Sequence, residues 1–223
     1  MATDSLPAMK NSRRSVLPGA PGAFTLVEML VVITIMAALM ALSAPYIVGT
    51  MQANRLTAAG EGLMFRLSRL QQVVASTNQP GEIRFYRFEM EGVTGYHAYQ
   101  LFSHDEATGG MSPLEDPVYF KTDNLRVMEG TLSPLLTPSV HSNVEGMWPR
   151  AADTEPFLSR NAQYFRISFL PSGKTSLHAP LRQCYLTLST DDPTTSVTSS
   201  RAPKNYYTIQ IDPVSGRAKS YRP

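Results

Sequence analysis

The sequence predicts an α+β protein, in which one long N-terminal α-helix that crosses a membrane is followed by an antiparallel β-sheet domain. Residues 29–54 contain no charged side chain. Residues 54–77 then repeat apolar side chains at helical spacing. Most of the later chain alternates β-branched and aromatic residues between proline and glycine turns. These observations predict a leader over 1–23, a helix over 24–78 and a sheet domain over 79–223.

The composition excludes several protein classes. The 223 residues have a net charge of +2 and a mean hydropathy of −0.15. Those values exclude a strongly basic nucleic-acid binder, an acidic disordered tail and a multi-spanning membrane protein. The single cysteine, Cys184, excludes an internal disulfide framework and multi-cysteine zinc or iron–sulfur sites.

The uncharged segment is long enough to span a bilayer. A helix of its length measures about 39 Å, and a bilayer core needs about 20 apolar residues. We expect the span over 24–48. Lys10, Arg13 and Arg14 precede it, so the positive-inside rule places the N-terminus in the cytoplasm and the sheet domain across the membrane.

Glu28 is unusual at the beginning of this apolar segment. A charge inside a membrane helix costs about 2–3 kcal/mol unless it finds a partner, which makes Glu28 a candidate functional residue. The alternative is an ordinary secretory signal peptide that is cleaved near Ala44. The length of the apolar run and the carboxylate of Glu28 both count against that alternative.

Residues 22–33, GAFTLVEMLVVI, resemble the prepilin signature of type IV pilins and type II secretion pseudopilins. The resemblance implies that a prepilin peptidase cuts between Ala23 and Phe24 and that the new amino terminus on Phe24 is N-methylated. A cut after Gly22 is the alternative, because glycine usually precedes the cut in this family. Glu28 becomes the fifth residue of the processed chain, and Pro45 stands at a position where pilins often carry a helix-kinking proline.

The resemblance also implies an assembly role for Glu28. Its carboxylate would meet the free amine of a neighbouring subunit in a low-dielectric filament core, where a paired charge is tolerable and an unpaired one is costly. The alternative is a membrane anchor in which Glu28 lies at the headgroup boundary.

Beyond the membrane, an amphipathic stripe continues the helix over 54–77 and predicts packing onto the sheet. Its members are Leu56, Ala59 or Gly60, Leu63, Leu67, Leu70 and Val74. Strands are predicted over 82–88, 96–102, 164–170, 174–177, 184–188, 206–211 and 217–221, with short ones at 118–121 and 125–128. We expect the hairpins around 171–173 and 213–216 to belong to one antiparallel sheet. Residues 103–160 form an irregular insertion, and 190–203 an exposed loop.

This order of elements resembles the H-type minor pseudopilins. Residues 54–60 and 83–88, NRLTAAG and IRFYRF, also resemble a prepilin-like family known as the verrucomicrobial cassette protein D. The family resemblance implies an inner-membrane location, a periplasmic sheet domain, and prepilin peptidase and other pilin-like subunits as partners.

No catalytic residues are predicted, and no cofactor. The histidines, at 97, 104, 141 and 178, lack metal-ligand spacing. The acids at 105–106 and 115–116 are interpreted as a solvated loop, with calcium as the alternative. Four arginines, at 66, 69, 84 and 87, are interpreted as a mixed-charge face; DNA binding is the alternative. Cys184 is predicted to be a small buried side chain.

These features predict a non-catalytic pilin-like subunit that assembles through its N-terminal helix into a type II secretion-like or type IV pilus-like filament. Two alternatives remain. One is a membrane-anchored module that captures a ligand or DNA without polymerising, and the other is an exported enzyme.

Overall fold

The computed structural model of the chain describes residues 24–123, 125–137, 155–157, 160–190, 198 and 200–223. The predicted leader, residues 1–23, lies outside the described residues, as do His141 and most of the predicted loop over 190–203. One helix, α1, runs from Leu26 to Thr77. The chain divides into two compact units, the first ending at Pro45 and the second comprising Tyr46–Pro223. The α+β layout with antiparallel sheets is confirmed.

The first sheet contains the strands that follow α1 directly. Its strands are β1 (Gly81–Met90), β2 (Val93–Asp105), β3 (Gly110–Pro113), β4 (Val118–Tyr119), β6 (Glu155–Phe157) and β7 (Arg160–Phe169). The order is β3-β2-β1-β7-β6, with β4 also on β2, and every pairing is antiparallel. Gly81 pairs with Ser103 on one side and with Phe169 on the other. The end of β2 and the end of β7 therefore flank the start of β1.

A second sheet contains the C-terminal strands, so the expectation of one sheet is wrong. Its strands are β5 (Leu125–Val127), β8 (Tyr185–Thr190), β9 (Tyr206–Ile211) and β10 (Ala218–Tyr221), in the order β10-β9-β8-β5. The strand expected over 174–177 is also wrong, because only an isolated bridge joins Thr175 to Phe169. Thr175 instead donates two hydrogen bonds, from its backbone nitrogen and from Oγ1, to the carbonyl of Pro213, at 3.2 and 2.7 Å. The two hairpins are thus tied together across separate sheets.

The apolar stripe on the second half of α1 packs onto both sheets, as predicted. Leu56, Leu63 and Leu70 are fully buried, in one cluster with Phe85 and Phe165 of the first sheet. The same cluster includes Leu186, Leu188, Ile209 and Ile211 of the second sheet. Burial of each large apolar side chain contributes about 1.5–3 kcal/mol to stability.

The predicted irregular insertion contributes short elements to this core. The 3-10 helices Phe120–Asp123, Gly130–Leu132 and Pro134–Leu136 lie within it, and Leu135 and Leu136 are buried. The other face of the first sheet carries a separate aromatic cluster, in which the rings of Tyr86 and Phe157 stack with centroids 3.9 Å apart.

Candidate functional site

The first turn of α1 is held by a side-chain cap. Thr25 precedes the helix, and its Oγ1 accepts a hydrogen bond from the backbone nitrogen of Glu28 at 3.2 Å. This contact satisfies one of the donors that have no partner at a helix N-terminus. The carboxylate of Glu28 also lies where the positive end of the helix dipole favours a negative charge. Glu28 therefore stands on an ordered turn.

Glu28 is exposed, and the side chains next to it in the chain are large, apolar and exposed as well. Its carboxylate forms no ion pair with any residue that the structure describes. Phe24 is exposed by 67%, Leu26 by 82% and Leu30 by 57%. A helix that is apolar on all sides needs lipid or other helices around it. A partner for this carboxylate would have to come from outside the described chain.

The apolar segment meets the requirements of a membrane span. Within the described residues, one helical stretch qualifies, Leu26–Ser43, with a mean hydropathy of 2.4 and none of its residues buried. Three hydroxyl side chains in or near it hydrogen-bond to preceding carbonyls. These are Thr34 to Val31, Ser43 to Met40 and Thr50 to Tyr46, at 2.8, 3.0 and 2.9 Å. Their polar groups are therefore satisfied inside the helix, as a bilayer requires.

The predicted site residues fall at three places along the chain. Glu28 lies in the first turn of α1, and Phe24 lies two residues before the helix begins. Pro45 lies inside the helix, which continues past it. Gly22 and Ala23 lie outside the described residues. Sequence reasoning missed the cap at Thr25, although the spacing Thr25-x-x-Glu28 is the known signature of such a cap.

Gly60 makes a close contact that the apolar stripe did not predict. It is buried on α1, and a Cβ atom added to it would lie 2.5 Å from Cδ1 and Cε1 of Tyr207 on β9. The helix therefore lies directly against this ring, and only glycine leaves room for it. The sequence contained one signal of this contact: the spacing of the apolar stripe fits Ala59 or Gly60, and a glycine at such a position can indicate close packing.

The four arginines singled out from the sequence are paired with acids. Arg66 and Arg69 share the carboxylate of Glu115, at 2.8 and 3.2 Å, and Arg87 contacts Glu129 at 3.3 Å. Arg84 pairs with Glu82, and its guanidinium carbon lies 4.0 Å from the ring centroid of Phe102. Each of the four arginines therefore has an acidic partner, but among the acids near them in sequence only Glu82 is one of these partners, and Arg84 is buried rather than part of a surface.

Two of the histidines and the first carboxylate of the acidic loop contact residues near them in the chain. The imidazole of His97 lies 2.9 Å from the carbonyl of Val93, and that of His178 lies 2.8 Å from the carbonyl of Ser176. The carboxylate of Asp105 accepts hydrogen bonds from the backbone of Ala107 and the hydroxyl of Thr108, both at 3.0 Å. Among the described residues, no three side chains of His, Cys, Asp or Glu are grouped so that they could hold a metal ion.

Cys184 is buried, as predicted, and its thiol lies 3.3 Å from the carbonyl oxygen of Ala179. Burial raises the pKa of this thiol to about 11, and the nearby carboxylate of Asp212 adds to the effect. The reactive thiolate is therefore scarce at neutral pH.

We expect iodoacetamide at pH 8 to alkylate Cys184 in the folded chain about a hundredfold more slowly than in denaturant. The folded rate should rise as the pH approaches 11. Mass spectrometry of timed samples measures both rates, and a Ser220→Cys variant supplies an exposed thiol as the control. Equal rates for Cys184 in the folded and denatured chain would contradict its burial.

Comparison with known proteins assigns no family to this chain. No family model matches it, and neither a curated protein nor a solved structure is significantly similar to it.

Proposed function

We propose that this protein is a non-catalytic, pilin-like subunit, a minor pseudopilin in kind, that is anchored in the inner membrane by the start of α1. A prepilin peptidase removes residues 1–23, Phe24 is N-methylated, and the processed helix packs with those of other pilin-like subunits. The product is a type II secretion-like or type IV pilus-like filament, with the sheet domain in the periplasm.

The observation that carries the proposal is the carboxylate of Glu28. It is exposed, lies on a capped first turn and has no ion-pair partner among the described residues, yet its neighbours are almost all apolar. In lipid or in a helix bundle, such a charge needs an opposite charge close by. Cleavage before Phe24 creates a free amine on a neighbouring copy, which supplies that charge.

The contrast between the two halves of α1 also supports the proposal. Around the apolar start, large side chains such as Ile33 and Leu39 are exposed by 64% and 61%, whereas Leu63 and Leu70 in the second half are buried against the sheets. The second half therefore belongs to the core of the sheet domain. The first half presents its apolar surface to other molecules.

The N-terminus of the protein recovered from its native membrane tests the proposal. We expect a chain that begins at Phe24 and carries one added methyl group, as measured by intact mass and N-terminal sequencing. An Ala23→Gly variant is the matched comparison, because it supplies the residue that usually precedes the cut, and we expect its processing to be at least as complete.

Two other results would contradict the proposal. A chain that begins after Ala44 would identify an exported protein with an ordinary signal peptide. An uncut chain that does not co-purify with other pilin-like subunits would favour the membrane-anchored binding module, with a ligand or DNA bound by the sheet domain.

A further inference from the structure

The charges of this protein are divided between two parts of the chain. Residues 24–159 contain 8 basic and 14 acidic side chains, whereas residues 160–223 contain 9 basic and 3 acidic ones. The first part therefore has a net charge of −6 and the second a net charge of +6. The near-neutral total conceals this division.

Four cations of the second part gather around the two tied hairpins. They are Lys174, Arg182, Arg217 and Lys219, and all four are exposed. We call them the basic cluster. In contrast to the four paired arginines described above, none of them forms an ion pair within 4.0 Å in the described part of the chain.

Backbone and side-chain contacts hold the basic cluster together. Thr175, next to Lys174, is tied to Pro213 in the other hairpin. The side chain of Gln210 donates to the carbonyl of Leu181 at 3.0 Å, and Gln210 pairs with Lys219 across β9 and β10. A depression beside them is lined by Leu181, Gln210, Asp212, Ser215, Arg217 and Lys219.

The carboxylate nearest to the basic cluster is engaged within its own turn. Asp212 accepts hydrogen bonds from the backbone nitrogen of Val214 at 2.9 Å and from the hydroxyl of Ser215 at 2.7 Å. These bonds shape the hairpin. The same carboxylate attracts Lys219 without forming an ion pair with it within 4.0 Å, so an acidic partner can still reach the cluster.

A second group of charges, which we call the acidic edge, consists of Asp105, Glu106 and Asp116 and lies across β1 from the first hairpin. The turn between β2 and β3 carries Asp105 and Glu106, and Asp116 follows β3; Glu106 and Asp116 are exposed. Because Gly81 pairs with both Ser103 and Phe169, this turn and the hairpin after β7 flank the same end of β1. The acidic turn and the first hairpin therefore lie on either side of β1, at the same end of this central strand.

We infer that the basic cluster binds the acidic edge of a second copy of this chain placed beside it in parallel orientation. The opposite charges of the two parts, both within one chain, favour a second copy over an unrelated partner. Such a contact joins two different surfaces and is therefore heterologous. This inference rests on the proposed function, since a filament supplies the parallel arrangement.

Disulfide trapping in membranes that contain the full-length chain tests the contact. One tagged copy carries Val214→Cys at the exposed tip of the second hairpin, and a copy with another tag carries Ala107→Cys in the acidic turn. We expect a disulfide between the two copies. Its yield should fall about tenfold in a Lys174→Glu, Arg217→Glu variant of the first copy, because two attractive contacts become repulsive.

Compensating and control variants sharpen the experiment. A Glu106→Lys, Asp116→Lys variant of the second copy should lower the yield by a similar factor, and combining both sets should restore it. Arg55→Glu with Lys204→Glu makes the same change in net charge away from the cluster and should leave the yield unchanged. High salt should lower the wild-type yield.

Four results would overturn the inference. If the disulfide yield is the same in all charge variants while the two tagged copies still co-purify, this contact is excluded and the filament function is unaffected. Failure of the two tagged copies to co-purify with each other, while each still co-purifies with other pilin-like subunits, would also exclude the contact alone. Failure to co-purify with any pilin-like subunit would exclude both the contact and the filament function. Unchanged trapping, with loss of binding to a short single-stranded DNA in the Lys174→Glu, Arg217→Glu variant, would identify nucleic acid as the occupant of the cluster.

Discussion

A Glu28→Ala variant is expected to enter the membrane as the parent chain does and to be about a hundredfold less abundant in the assembled filament. The apolar segment is unchanged or slightly more apolar, so insertion should not suffer. In the filament, however, the amine on Phe24 of the neighbouring copy would be left without its counter-charge. Removing one partner of a buried ion pair costs about 3–5 kcal/mol, which corresponds to a factor of a hundred or more in incorporation.

Two measurements made on the same cells check this result. Membrane fractionation measures insertion, and co-purification with other pilin-like subunits measures incorporation. Glu28→Gln separates charge from shape, and we expect it to behave like Glu28→Ala. Thr25→Ala is the control for the helix end, because it removes the cap on Glu28 and leaves its carboxylate in place. It should cost about 1 kcal/mol of local helix stability and leave incorporation largely intact.

Normal incorporation of Glu28→Ala would exclude the pairing mechanism. Glu28 would then be a charge at the headgroup boundary of a simple anchor. Loss of incorporation in Thr25→Ala as severe as in Glu28→Ala would attribute the effect to the shape of the helix end instead of to its charge.

Gly60→Ala is expected to destabilise the sheet domain by about 3 kcal/mol, which lowers its Tm by about 8 °C. The added methyl group would lie 2.5 Å from two ring carbons of Tyr207. The ring and the helix would have to move apart, which would loosen the core that α1 shares with β9. Differential scanning calorimetry of the full chain in detergent micelles measures the change.

Gly62 provides a matched control two residues further along the same helix. The nearest atom to a Cβ at Gly62 is Nη1 of Arg66, at 3.3 Å, at the far end of a flexible side chain. Gly62→Ala should therefore gain about 1 kcal/mol from the higher helix propensity of alanine. Equal effects of the two substitutions would mean that the ring of Tyr207 does not lie against Gly60.

The local pattern of the chain predicted most of the secondary structure. The helix expected over 24–78 is observed as Leu26–Thr77, and the strand expected over 206–211 is observed with the same bounds. In both cases the apolar period of the segment agrees with the burial of one face. The strand predicted over 174–177 is absent because Thr175 hydrogen-bonds to Pro213 of the other hairpin. The alternation of side chains does not reveal such a contact.

The partners of charged residues could not be predicted from spacing. Arg66 and Arg69 meet Glu115, which is separated from them by 49 and 46 positions in the chain. Arg87 contacts Glu129, which is far away in sequence, and not Glu89, which is two positions away on the same strand. The side chains of a strand project out of the sheet, where they can contact residues of other segments. Of the four arginines discussed above, Arg84 is the one whose described partner, Glu82, lies two positions away on the same strand.

By itself, the sequence determined the apolar N-terminal helix, the carboxylate at its beginning and the α+β order of elements, because each depends on residues that are close together in the chain. The tertiary structure decided the rest: two sheets instead of one, the ring of Tyr207 against Gly60, and the separation of an acidic edge from a basic cluster. These features depend on which distant segments meet. That choice is made by burial of the shared core, which local spacing does not encode.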